Sequence, residues 1–345
     1  MGIPESSISY LIKLLEEKLD VLITTHYNPD GDAIGSSLAL YHFLSARGIK
    51  AKVIIPNELP SFLQWMPGAS EAVIYMENPD LGNSLIASAE LIFCMDYNGL
   101  SRVKVFADEL RDASAVRVLI DHHVQPENEF DLVFSEISVS STSELLFQII
   151  DEAGLTSGIT KEMAECFFVG IMTDTGSFSF ACNRPETFEI AAKLIKTGID
   201  VERVHRMVYD TYSESRMRLL GHSLGSNMKV LPEFATAYIW LTMEDLEKYD
   251  YQQGDTEGVV NYALSIQNVA VAVLFTERED RIRVSLRSKG DFSVNEFARA
   301  HFNGGGHRNA AGGDIFKSMP EALAWFESLL PSYSSEIQKS LSNYK

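Results

Sequence analysis

The sequence predicts an α/β fold: a first domain on a doubly wound, mainly parallel sheet, a helical linker, and a smaller second α/β domain. Three observations predict it. Over the first 120 residues, short β-rich runs alternate with helical stretches, the order that builds parallel sheets with crossover helices. The run Leu91–Met95 is wholly apolar, as a strand covered on both faces is. The length of 345 residues, at about 150 residues per domain, gives two domains.

The elements follow in order. Residues 8–19 read as an amphipathic helix and 21–25 as a strand that ends at polar His26. Asn28-Pro-Asp-Gly-Asp32 is a loop, 33–46 a helix closed by Gly48, and 52–55 the next strand. Residues 91–95 and 116–120 are further strands, the second apolar except for Arg117. Residues 142–153 and 161–172 read as helices, and 186–228 is helical and rich in charge. From 235 the pattern changes, with strands at 235–241, 269–276 and 281–286, then a triple glycine at 304–306 and a helix near 321–330. The expected domains are 1–195 and 231–345, with the linker at 196–230.

Composition excludes several classes. Lys plus Arg is 29 and Asp plus Glu is 48, a net charge of −19, which repels polyanions at long range. A protein that wraps long duplex nucleic acid on a broad basic face is therefore not expected. Cys94, Cys166 and Cys182 form no CxxC pair, so a disulfide scaffold is not expected and buried free thiols are. The first 20 residues lack a basic and apolar leader pattern, and no apolar stretch reaches the roughly 18 residues that span a bilayer. These features predict a cytoplasmic protein.

Acidic and imidazole residues fall where predicted strands end. Residues 21–25 lead into His26, Asp30 and Asp32; 91–95 lead into Asp96; 116–120 lead into Asp121, His122 and His123. Sites on open parallel sheets gather beyond the carboxyl ends of strands. The helix at 161–172 is likewise followed by Asp174-Thr-Gly176. Each feature alone also reads as an ordinary cap, turn or polar strand end. Their coincidence at successive element ends carries the metal reading. Mixed carboxylate and imidazole donors suit Mn²⁺, Fe²⁺ or Zn²⁺. Asp30, Asp32, Asp96 and Asp174 together carry four negative charges, costly when crowded, and two divalent cations would cancel them.

The second domain carries Asn303-Gly-Gly-Gly-His-Arg-Asn-Ala-Ala-Gly-Gly313. Successive glycines can expose backbone N–H groups to an anion, with His307 and Arg308 adding positive charge. Ala310 to Gly313 are small enough for a tight turn or helix start. In the strand at 281–286 and just beyond it, Arg283, Ser285 and Arg287 share one face, and Arg287 can grip a phosphate with two hydrogen bonds.

These residues carry a family resemblance. His26-Tyr-Asn-Pro-Asp-Gly-Asp-Ala-Ile-Gly-Ser36, Met95-Asp96, Asp121-His-His123 and Gly170-Ile-Met-Thr-Asp-Thr-Gly176 resemble the four motifs of the DHH phosphoesterases. Gly304-Gly-Gly-His-Arg-Asn-Ala-Ala-Gly312 is similar to the DHHA1 signature. The likeness runs roughly from residue 20 to 315, and it is nearest to the stand-alone oligoribonuclease and 3′-phosphoadenosine-5′-phosphate (pAp) phosphatase group.

The resemblance implies two Mn²⁺, with Mg²⁺, Fe²⁺ or Co²⁺ as substitutes. His26, Asp30 and Asp96 would hold one ion, and Asp32, Asp96, His122 and Asp174 the other, with Asp96 shared. It also implies that Asp121 orients a histidine, that His123 faces the scissile phosphate, and that Arg287, Gly304, Gly305, Gly306, His307 and Arg308 bind the nucleotide. The implied activity is hydrolysis of short oligoribonucleotides, linear dinucleotides such as pApA, and pAp, by water activated between the ions. A cyclic-di-AMP phosphodiesterase, an inorganic pyrophosphatase and a non-catalytic nucleotide sensor are the alternatives. Family analogy also allows a homodimer.

Overall fold

The computed structural model describes residues 4–17 and 20–344. The chain divides into two compact units, Met1–Thr211 and Tyr212–Lys345.

The first unit opens with α1 (Glu5–Glu16), β1 (Val21–Thr25), α2 (Gly31–Ser45), β2 (Ala51–Ile55), β3 (Val73–Ile74) and α3 (Pro79–Ser88). It continues with β4 (Leu91–Met95), α4 (Ala107–Asp112), β5 (Val116–Asp121), β6 (Leu132–Ser135), α5 (Thr142–Glu152), α6 (Lys161–Asp174), α7 (Pro185–Ile195) and α8 (Val201–Tyr209). Six strands form one sheet in the order β3-β2-β1-β4-β5-β6, every pair parallel. The chain winds outward from β1 one way and from β4 the other, so the crevice between their carboxyl ends is the topological switch point.

Both faces of the sheet are covered. Ile23, Phe93 and Ile120 pack on one side beneath α1, α2, α5 and α6. Leu22, Ile92, Cys94 and Leu119 pack on the other, with residues of α3 and α4. This two-sided burial explains the unbroken apolar run of β4. Truncating fully buried Phe93 to Ala would cost about 3–5 kcal/mol. In α1, Ile8, Leu11 and Leu14 face the core at helical spacing. The helix ends at Glu16, and residues 18 and 19 of the expected segment lie outside the described residues. Cys94, Cys166 and Cys182 are free and buried, and burial pushes the Cys94 thiol up to about 12, which keeps it unreactive.

The second unit contains α9 (Glu214–Gly225), β7 (Met228–Leu231), β8 (Thr236–Leu241), α10 (Met243–Lys248), α11 (Val259–Leu264) and β9 (Val271–Glu277). It ends with β10 (Ile282–Ser288), α12 (Val294–His301), β11 (Gly305–His307), β12 (Ala310–Ile315) and α13 (Met319–Tyr344). The sheet order is β11-β12-β10-β9-β8-β7, antiparallel except for the β8–β9 pair. Residues 196–230 thus contribute α8 to the first unit and α9 and β7 to the second.

The glycine-rich segment folds as strands, with Gly305 and Gly306 in β11. Ala310–Ile315 is a strand rather than a turn or helix start. Close backbone approach is the reason. A Cβ on Gly304 would stand 1.9 Å from the Gly312 carbonyl oxygen, and one on Gly306 would stand 2.5 Å from that of Ala310. The final helix also outruns the expected 321–330, continuing through Pro331. No helix among the described residues is long and apolar enough to cross a membrane.

Candidate active site

Three strand ends and two helix ends converge beyond the switch point. β1 delivers buried His26. Asp30 then caps α2, its Oδ1 accepting from the N–H groups of Asp32 and Ala33, both at 3.1 Å. Asp32 follows in the first turn and is fully buried. β4 leads into Asp96, whose φ of 63° is left-handed and disfavoured for a residue with a Cβ. Such strain, on the order of 1–3 kcal/mol, persists where its surroundings hold it. β5 delivers Asp121, His122 and His123, and α6 ends on Asp174.

The six residues named from the sequence as ligand types, His26, Asp30, Asp32, Asp96, His122 and Asp174, lie together. His26 Nε2 is 3.9 Å from Asp30 Oδ2 and 3.6 Å from Asp96 Oδ2. His122 Nε2 is 3.1 Å from Asp174 Oδ2, 3.8 Å from Asp32 Oδ2 and 3.6 Å from Asp96 Oδ1. Asp96 therefore turns one oxygen to each imidazole. Ligand-type atoms of His26, Asp30 and Asp96 lie within 4.8 Å of one another, as do those of Asp32, His122 and Asp174. His123 Nδ1 sits 2.7 Å from Asp121 Oδ1.

The electrostatics show what this crowding costs. Burial, then the charges of Asp32 and Asp30, raises Asp96 well above the carboxylate range. Asp32 is pushed up to about 7 by burial and by Asp174. Burial disfavours charged His122, but its bond to Asp174 and the charges of Asp96 and Asp32 outweigh that and raise its pKa well above normal. Burial lowers both His26 and His123. Asp121 is held low despite burial, chiefly by His123.

These residues fit divalent cations. The Nδ1 atom of His26 lies 3.0 Å from the Tyr27 carbonyl oxygen. A carbonyl can only accept, so Nδ1 carries the proton and Nε2 presents a lone pair. That lone pair faces one oxygen each of Asp96 and Asp30 at 3.6 and 3.9 Å, beyond direct hydrogen-bond distance. A cation satisfies all three acceptors at once. Oxygen and imidazole donors match Mn²⁺ and its neighbours in the first transition series.

Several contacts escaped the reading of the sequence. The first turn of α5 reaches the carboxylates of Asp32 and Asp96. Thr142 N–H and Ser143 N–H donate to Asp32 Oδ2 and Oδ1 at 2.6 and 2.9 Å, and Thr142 Oγ1 donates to Asp96 Oδ1 at 2.8 Å. The pattern Ser141-Thr-Ser-Glu144 is a helix-start signal, yet nothing in it names the partner. Arg102 also lies near, and its positive charge helps lower His26 and His123. Gly170, in the fourth motif, is glycine because a Cβ there would meet Ser143 Oγ at 1.9 Å and Asp32 Oδ1 at 2.7 Å.

In the second unit, burial alternates along β10. Arg283, Ser285 and Arg287 share the less buried face, with Arg287 in register between Ala272 and Ala310. Gly304 precedes β11, which holds Gly305, Gly306 and His307. Arg308 is exposed and donates to the Asp291 carbonyl oxygen at 2.8 Å.

The model for the DHH family, N-terminal domain, matches residues 20–171, and the DHHA1 domain model matches residues 232–331. A bifunctional oligoribonuclease and PAP phosphatase NrnA of Thermus thermophilus is 31% identical, over 86% of this chain and 84% of that protein. The NrnA of Bacillus subtilis is 28% identical, over 89% of this chain and 92% of its own. The crystal structure of an exopolyphosphatase-related protein from Bacteroides fragilis superposes with a TM-score of 0.93 at 43% identity, covering 97% of this chain and 98% of that one.

Proposed function

We propose that this chain, which belongs to the DHH family and carries a DHHA1 domain, hydrolyses short oligoribonucleotides, linear dinucleotides such as pApA, and pAp. Membership makes it a hydrolase, a phosphoesterase of the metal-dependent type. Two Mn²⁺ are the proposed cofactor. The observation that carries this reading is Asp96, which turns one oxygen to the His26 group and the other to the His122 group.

His26, Asp30 and Asp96 would hold one ion, and Asp32, Asp96, His122 and Asp174 the other. When bound, such cations supply charge neutralisation for phosphoryl oxygens and activation of water. The remaining work belongs to side chains. Asp121 holds the His123 ring by Nδ1, which fixes its orientation and supports its charged form, so that a proton for the leaving oxygen is held at Nε2. Burial lowers the His123 pKa, so the imidazolium is a minor form of the free protein, and the negative charge of a bound phosphate would favour it. Arg102 adds positive charge where an incoming phosphate would otherwise meet carboxylates. Arg287, Gly304, Gly305, Gly306, His307 and Arg308 are the proposed nucleotide contacts. The net charge of −19 disfavours long duplexes as substrates.

The test is turnover of pAp, pApA, a short RNA and cyclic di-AMP at one Mn²⁺ concentration, with and without chelator. The expected result is turnover of the first three, abolished by chelator, with cyclic di-AMP much slower. Fastest turnover of cyclic di-AMP would assign the cyclic-dinucleotide reading instead. No turnover of any would leave a nucleotide sensor and overturn the proposal.

A further inference from the structure

The geometry points to Thr142 as a positioning residue that sets the placement of Asp32 relative to Asp96; this inference rests on the two-ion reading. One residue touches both carboxylates. Its backbone N–H donates to Asp32 Oδ2 at 2.6 Å and its hydroxyl donates to Asp96 Oδ1 at 2.8 Å. Asp32 and Asp96 come from α2 and from the end of β4, elements with no covalent reason to hold a fixed spacing. Thr142 bridges them from a third element.

The chemistry of the bridge is one-directional. A carboxylate accepts, so the Thr142 hydroxyl must donate to it. At the first position of a helix the backbone N–H has no partner within the helix. The N–H groups of Thr142 and Ser143 are therefore available to Asp32 without breaking the helix ladder. Each Asp32 oxygen spends one acceptor site on an amide and keeps another for a cation. Thr142 pins Asp96 Oδ1 without using Oδ2, which stays turned toward His26.

The clamp cannot slide. Glu144, fully buried one helical turn in, accepts from Ser140 N–H at 3.2 Å, Ser140 Oγ at 2.5 Å, Thr187 Oγ1 at 2.7 Å and Gln148 Nε2 at 3.1 Å. That network ties the start of α5 to α7. On the other side, Gly170 of α6 lies against both Ser143 Oγ and Asp32 Oδ1, with no room for a Cβ. Carboxylates crowded as these are would otherwise rotate apart to relieve repulsion.

Thr142→Val removes the hydroxyl, keeps the side-chain shape and leaves the N–H bond to Asp32. Thr142→Ser keeps the hydroxyl and removes the methyl. The experiment titrates Mn²⁺ into metal-free wild type and both variants, following free Mn²⁺ by its electron paramagnetic resonance signal. It also measures kcat and KM on pApA, and the melting of each metal-free protein. Partners of metal ligands are typically worth 10–100-fold in affinity. The expected result is a loss of about tenfold or more in Mn²⁺ affinity for Thr142→Val. Its kcat falls with KM little changed, its metal-free melting stays near wild type, and Thr142→Ser restores both affinity and kcat.

A Thr142→Val protein that folds, binds two Mn²⁺ as wild type does and turns over normally would overturn the inference and leave the two-ion reading standing. Equal defects in both variants would also overturn it, since packing of the methyl would then be what matters. Wild type that takes up fewer than two Mn²⁺ would overturn the two-ion reading itself.

Discussion

Asp32 makes the energetic consequence of the carboxylate cluster measurable. In metal-free protein its pKa is pushed up to about 7, first by burial and then by Asp174, against 3.8 for an ordinary Asp. A folded carboxylate with a raised pKa contributes stability that is fully present below about pH 4 and is lost as the pH rises toward 7. The unfolded chain has released its proton across that window while the folded one still holds it. About three pH units at roughly 1.36 kcal/mol each makes the loss on the order of 4 kcal/mol. Asp32→Asn has no charge to develop and escapes it. The variant carries a separate cost, because a carboxamide cannot accept from both Thr142 and Ser143, and one unpaired buried donor costs about 1–3 kcal/mol. That cost does not vary with pH, so the change in the difference between the two proteins is diagnostic.

Chains of two compact units commonly depart from a single unfolding transition, so the probe is made local. Trp65 is in the first unit and Trp240 and Trp325 are in the second. In a Trp240→Phe, Trp325→Phe background, Trp65 fluorescence reports the first unit alone. Urea unfolding of metal-free protein at pH 4.5 and 7.5 should show Asp32→Asn gaining about 3 kcal/mol on the parent, the part of the full swing that falls inside this interval. Saturating Mn²⁺ should flatten the parent's pH dependence. A swing below about 1 kcal/mol, or one of opposite sign, would show that the carboxylates do not repel one another as the geometry implies.

Gly170→Ala should drive a methyl into Ser143 Oγ and Asp32 Oδ1, costing about 1–3 kcal/mol of stability from overpacking and weakening Mn²⁺ binding; calorimetric titration and melting check both. Asp121→Asn leaves a neutral partner on His123 Nδ1 and should lower kcat by about 10²–10⁴-fold with Mn²⁺ stoichiometry unchanged, read from steady-state kinetics and elemental analysis. Arg287→Ala and His307→Ala should each lose about tenfold or more in kcat/KM on pApA, from one charge-assisted contact worth roughly 1.5–3 kcal/mol. An equal loss on a small generic phosphodiester would make these residues structural support instead of nucleotide contacts.

The legible part of the molecule was its strand ends. Leu91–Met95 announces a doubly covered strand, and Asp96 follows it directly; Asp121, His122 and His123 close β5 in the same way. Such signals are local, and parallel topology carries strand ends to one edge, so a list of residues became a cluster in space. The illegible part was non-local. Thr142 is 110 residues from Asp32 and 46 from Asp96, and a capping pattern cannot say which carboxylate will be its partner. Arg102 ends a short 3-10 helix after β4, and only folding brings its charge beside His26. Three glycines in a row do not announce a strand, because glycine has two uses, backbone freedom and close approach. Cross-strand spacing against Gly312 and Ala310 decides for the second, and that spacing is absent from a one-dimensional pattern.

On the proposed reading, Asp96 and the two imidazole groups around it hold two cations per chain, and hydrolysis should depend on the second. The direct measurement is stepwise addition of Mn²⁺ to metal-free protein, with bound metal by elemental analysis and pApA turnover in the same samples. Uptake should level at about two Mn²⁺ per chain, and turnover should rise mainly as the second site fills. Uptake that levels at one ion with full turnover, or turnover that survives complete chelation, would contradict the account.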